Sequence, residues 1–189
     1  MNRVVRSPPS GLSPRRRSIG LMVLMPALVA LTVCGGARAE RSWTLTTSQQ
    51  VGASLYEATS EVLLVTPTLR SKDVAEALRR AAVERGVRIF LIADGRYVNE
   101  GASYLASLSL TPGIQVRLVR GLEASRATID RQMTVSGPLL ADVPSPRRPG
   151  ATLALQQPQA VRVASTWFSK AWATARPYRY QVPASPRRN

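Results

Sequence analysis

Leu122-Glu123-Ala124-Ser125-Arg126-Ala127-Thr128-Ile129-Asp130-Arg131-Gln132-Met133-Thr134-Val135-Ser136-Gly137-Pro138-Leu139-Leu140 is the stretch on which the reading of this sequence turns. It predicts a strand, a tight turn at Asp130-Arg131-Gln132, and a returning strand that ends at Gly137. Asp is favoured at such a turn because its short carboxylate can bond nearby backbone N–H groups. That reading gives Asp130 a local structural role. A glycine seven residues later marks the place where the second strand must stop.

Upstream, the pattern is that of strands alternating with helices. Glu61–Val65 (E-V-L-L-V) is a compact apolar run, the composition of a central strand covered on both faces. Ser71 can cap a helix reaching Arg85, with Asp73 in its first turn, Val74, Leu78 and Ala82 on one stripe, and Gly86 as its stop. Val87–Ala93 follows as a second strand, and Asp94-Gly95 closes it. Strand, helix and strand in this order form a βαβ unit. Residues 99–110 predict another helix burying Tyr104, Leu105 and Leu108, and Ile114–Val119 a third strand. Before this unit, Ser42–Thr47 reads as a first strand and Val51–Thr59 as a short helix with Leu55 and Tyr56 on its buried side. After the hairpin, Asp142–Gly150, with its three prolines, predicts a mobile surface loop. Thr152–Leu155 predicts a strand and residues 159–175 a helix, with Val161, Trp167, Phe168, Trp172 and Ala175 as its buried positions. The fold class expected is α/β, with a mixed, mostly parallel central sheet and helices on both faces.

The chain has 189 residues, one cysteine and no histidine. Arg3, Arg6 and Arg15-Arg16-Arg17 precede an apolar run from Ile19 to Val33, and Ala37-Arg38-Ala39 follows. Basic, apolar and small-residue regions in that order describe a signal peptide over residues 1–39. The apolar run is short for a membrane anchor, which stays the minor alternative. Val33 before Cys34 fits a lipoprotein poorly, and Arg16-Arg17 is a weak hint of twin-arginine export. The expected product is therefore exported, periplasmic or secreted, with a domain over residues 40–180 and a disordered tail over residues 181–189. Cleavage would remove Cys34, leaving neither thiol nor histidine, so no metal site and no cofactor are expected. From Glu40 onward the chain holds 20 basic and 11 acidic residues, a balance of +9. Nearly all the cations are arginine, which suits phosphate or carboxylate recognition as well as plain solubility.

The order of elements resembles the phospholipase D superfamily, and most closely its small exported endonuclease-like members with a single motif. The resemblance covers residues 49–178. It rests on Ser71-Lys72-Asp73-Val74-Ala75-Glu76-Ala77-Leu78 with Arg85-Gly86-Val87, on Ile129-Asp130 with Gly137, and on Phe168-Ser169-Lys170-Ala171-Trp172. The family's motif is His-x-Lys, four residues, Asp, six residues, Gly. Its histidines form a phosphohistidine and protonate the leaving oxygen, while the lysine and a later asparagine hold the phosphate charge. Two copies of the motif meet at one site, so a single-motif chain dimerises.

Anchored on Asp130 and Gly137, the resemblance puts Glu123 at the histidine, Ser125 at the lysine, Pro138 at the serine after the glycine, and Leu140 at the asparagine. A carboxylate repels a phosphodiester, serine brings no charge, and leucine makes no hydrogen bond. With no histidine at any position, a shifted register rescues nothing. The implied protein is a non-catalytic relative, with catalytic residues none expected and Arg126 and Arg131 as anion-binding candidates. It would act on a polyanion (nucleic acid, anionic lipid or envelope polymer) or pair as a homodimer or with an intact relative. The alternative is a phosphodiesterase with an atypical site. No integral membrane span is expected after signal cleavage.

Overall fold

The computed structural model describes residues 40–98, 100–141 and 151–181. The expected signal peptide, the loop at 142–150, the start of the second predicted helix at Asn99 and nearly all of the tail lie outside them. In chain order the elements are β1 (Arg41–Leu45), α1 (Ser48–Tyr56), β2 (Glu61–Thr66), α2 (Lys72–Arg85), β3 (Arg88–Asp94), α3 (Leu105–Ser109), β4 (Ile114–Val119), β5 (Arg126–Ile129), β6 (Met133–Ser136), β7 (Thr152–Gln156), α4 (Pro158–Thr174) and β8 (Arg176–Tyr178). A 3-10 turn covers Pro138–Leu140.

The strands form one sheet in the order β1-β7-β6-β5-β2-β3-β4-β8. β2 lies parallel to β3 and β3 to β4, because α2 and the α3 segment carry the chain back across the sheet between them. Every other pairing is antiparallel. The mixed α/β sheet is as the sequence implies, but its balance is mostly antiparallel rather than mostly parallel. The tight turn between β5 and β6 allows only an antiparallel pair, and the antiparallel pairs β2–β5, β1–β7 and β4–β8 join strands distant in sequence.

The two faces of the central strands are both covered. Val62 and Leu64 of β2, with Ile89 and Leu91 of β3, pack on α1 and α2 through Val51, Leu55, Val74 and Leu78. Leu63, Val65 and Ile92 point the other way, onto Phe168 of α4. Ser71 caps α2 by accepting the Val74 N–H at 3.4 Å, and Gly86 ends it at φ 68°. On the far face Trp172 of α4 stacks on Phe168 at 5.6 Å and meets Phe90 edge-on at 5.3 Å.

Three expectations need correction. Trp167 is not a core residue: it is 47% exposed, because the buried stripe of α4 runs through Val161, Ala164 and Phe168 and leaves position 167 on the outer side. Among the described residues the helix expected over residues 99–110 is helical only over Leu105–Ser109, and Gly101 disfavours an earlier start. Arg176-Pro177-Tyr178 does more than end α4: it forms the edge strand β8, the place in a sheet where a proline is tolerated. No helix among the described residues is long and apolar enough to cross a membrane.

Candidate functional site

Strand alternation sorts the motif residues between the two faces of β5. β5 runs antiparallel to β2, with Val65 opposite Arg126 and Val62 opposite Ile129. Ala127 and Ile129 therefore join the core beneath α1 and α2, and Ser125 faces the same way. Arg126 and Thr128 face α4.

Ser125 is buried, and its hydroxyl lies 3.0 Å from the Thr66 hydroxyl at the end of β2. Thr66 Oγ1 donates in turn to the Thr68 carbonyl at 2.5 Å. Leu140 is wholly buried and belongs to the main core. The positions that the resemblance assigns to the motif's lysine and asparagine thus hold a closed hydroxyl contact and an aliphatic core residue. Neither presents a hydrogen-bond donor or a charge to an incoming phosphate. Thr68 Oγ1, buried beside them, has no hydrogen-bond partner among the described residues.

Gly137 keeps its identity for a steric reason. Its φ is 148°, and a Cβ there would sit 2.5 Å from both Cα and Oγ1 of Thr152. Thr152 Oγ1 also accepts the Leu139 N–H at 3.2 Å, so β7 presses directly on the turn that leaves β6. This close approach lets Pro138–Leu140 fold under the sheet and deliver Leu140 to the core.

Asp130 is at the other end of the hairpin, and its partners are not local. Its carboxylate accepts the N–H groups of Thr59, Ser60 and Glu61 at 2.8, 2.8 and 3.0 Å, and the Thr59 and Ser60 hydroxyls at 3.0 and 2.8 Å. It fastens the turn to the segment entering β2, about seventy residues earlier in sequence. Burial by itself pushes this carboxyl up, but the backbone N–H groups of Thr59, Glu61 and Ser60 together overcome it and hold the pKa at about 2. Asp130 and Arg131 both take positive φ, 50° and 53°, the left-handed conformation a tight hairpin turn uses. The local-turn role expected for Asp130 is thereby replaced by a long-range one.

The remaining candidates separate. Arg131 Nε donates to Glu61 at 2.6 Å, beside Asp130. Arg126 is at the opposite end of β5, about 13 Å away by strand rise, with its Nε on the Ser136 hydroxyl at 3.1 Å. The two arginines do not converge on one anion. Glu123 is exposed and lines a groove of about 330 Å³ between the sheet and α4. Leu63, Val65, Leu122 and Phe168 floor this groove, and Arg126 and Trp167 stand at its sides.

Sequence reasoning missed Asp94 as a site organiser. Its carboxylate is fully buried at the end of β3 and accepts the N–H groups of Gly121 and Leu122 at 2.8 and 3.0 Å. Arg96 binds it side by side, with Nη2 to Oδ2 at 2.7 Å. The Arg96 hydrogen bonds hold this carboxyl well below the usual range against the opposing effect of burial. Asp94 thereby fixes the loop that presents Glu123. The available signal was an acid at the carboxyl end of an apolar strand, followed by Gly-Arg. Among the described residues no three acidic or thiol side chains converge to hold a metal ion.

At the level of sequence, no family model and no curated protein matches the chain. Solved structures do. NucT from Helicobacter pylori superposes with a TM-score of 0.60 at 17% identity, over 74% of this chain and 99% of its own. Nuc from Salmonella typhimurium, a phospholipase D family member, gives 0.58 at 16% identity over 75% and 98%. TrmBL2, an archaeal chromatin protein that binds DNA, gives 0.56 at 15% identity over 75% of this chain and 56% of its own. The chain has the fold of the phospholipase D superfamily.

Proposed function

We propose that this chain, built on the phospholipase D fold, is an exported, non-catalytic domain that acts by binding a polyanion. The observation that carries this reading is the state of the motif positions: Ser125 and Leu140 are buried in the core side of the sheet, Glu123 stands alone in the open, and the chain has no histidine. A phosphodiester brought to this place would meet the Glu123 carboxylate with Arg126 in the same groove, and no histidine to attack the phosphorus or protonate the leaving oxygen.

The charge distribution supports binding. After Asp130 the chain carries nine basic residues and a single acid, Asp142. Such an excess attracts polyanions through counterion release, and attraction of that kind falls steeply with salt. TrmBL2 supplies a precedent for DNA binding by a protein that shares the fold.

The test is retention on immobilised heparin and on a single-stranded oligonucleotide across a salt series. The expected result is binding at low ionic strength that weakens about linearly in log–log form with a slope of several charges. Passage of the purified chain through both matrices at low salt would contradict the reading.

A further inference from the structure

The outer side of α4 combines three properties. The first is exposed apolar surface: Val163 is 59% and Trp167 47% exposed, and their spacing of four puts them together on one side of the helix. Leu153 of β7, 42% exposed, faces the same layer by strand alternation with Leu155, which lines a shallow groove along Val163 and Ala160. The second is cationic charge without partners. Arg162 and Lys170 flank the apolar pair and make no ion pair among the described residues, and residues 151–181 contain no acid at all. The contrast with α2 is direct, since Arg79 and Arg80 there are bonded to Glu76 and Glu84 at 2.5 and 2.9 Å. The third is a firm seat on the sheet: the Trp172 ring of α4 meets Phe90 of β3 edge-on at 5.3 Å and lies 4.5 Å from the Arg117 guanidinium of β4. Arg126 continues the surface. It lines the grooves on either side of Ala164, and beyond its bond to Ser136 its two terminal nitrogens have no partner among the described residues. Glu123 and Glu40 are the acids facing these grooves.

We propose that this face of α4 is a docking surface for an anionic lipid bilayer, with Val163, Trp167 and Leu153 entering the headgroup region and Arg126, Arg162 and Lys170 meeting lipid phosphates. The inference rests on the polyanion-binding reading and names both the ligand and the place. Aliphatic exposure decides between ligands. A single-stranded nucleic acid gains from stacking on Trp167 but nothing from Val163 or Leu153, whereas a membrane interface rewards all three. An indole bordered by cations is the side-chain set that favours the interface of a negatively charged leaflet. The surface is separate from the buried Ser125 and Leu140, while Arg126 and Trp167 share the groove that Glu123 lines.

The experiment is co-sedimentation of the purified full chain with vesicles of phosphatidylcholine alone and of equal parts phosphatidylcholine and phosphatidylglycerol. It compares the unaltered chain with Arg162→Glu/Lys170→Glu and with Val163→Ser/Trp167→Ser. All variants carry the same amino terminus, so the apolar run at residues 19–33 contributes equally to each. Unchanged thermal melts confirm that these exposed substitutions leave the fold intact. The expected result is preference for the phosphatidylglycerol vesicles, with binding weakened about tenfold or more by each double substitution. Equal binding of all three proteins would overturn the assignment. So would an oligonucleotide that binds more tightly than the vesicles and loses affinity in the same variants, and that outcome leaves the polyanion reading standing. Failure to bind vesicles, oligonucleotide and heparin alike would overturn both.

Discussion

Asp130 has a folded-state pKa of about 2, below the unfolded value of about 3.9. A depressed carboxyl stabilises the fold fully above the unfolded pKa, and that contribution is lost as pH falls through the folded one. Stability should therefore decline between about pH 4 and pH 2, by on the order of 2 kcal/mol for this group. Asp130→Asn should remove that part of the acid sensitivity and lower stability at neutral pH by a similar amount, read by denaturant melts at both ends of the range. The residue that most resembles a catalytic signature is a strut between the hairpin and β2. Sequence could show an acid at a turn and could not show its partners, because Thr59, Ser60 and Glu61 are about seventy residues away. Asp94 was hidden for the same reason: what it holds, the Gly121-Leu122 loop, is 27 residues downstream.

At the scale of elements, those with local signals were legible. Ser71, the stripe of Val74, Leu78 and Ala82, and Gly86 bound α2 from its own residues, and the apolar run of β2 announced burial on both faces. Elements whose geometry depends on distant chain were not. β8 forms only because β4 offers an edge, and the antiparallel balance of the sheet follows from where the hairpin and β7 dock. Trp167 fell on the wrong side because an aromatic-rich helix suggests burial throughout, while α4 turns only the side bearing Val161, Ala164 and Phe168 to the sheet and leaves the other exposed. Gly137 is where element and motif meet. Gly137→Ala would drive a Cβ into Thr152, where backbone as well as side chain must move, and should destabilise the chain by about 2–4 kcal/mol. The loss is expected in equilibrium unfolding, with protection of β6 and β7 amides falling before that of β2 and β3 in hydrogen exchange.

For the whole molecule, the fold is shared with NucT and Nuc, while Ser125 and Leu140 are buried and Glu123 lies in the open. The fold was readable from the order of elements together with the hairpin that carries Asp130 and ends at Gly137. The side-chain chemistry of Glu123, Ser125 and Leu140, on which the proposal of a non-catalytic site draws, is already displayed by the sequence. That Ser125 is sealed against Thr66, and that cations without an ion pair among the described residues gather with exposed apolar side chains on α4, required the structure. The most direct measurement is hydrolysis of bis(p-nitrophenyl) phosphate and of a labelled oligonucleotide by highly purified chain in excess over substrate. The account predicts no product above the buffer blank. Product that co-elutes with the folded protein and disappears in both Glu123→Gln and Ser125→Ala would contradict it.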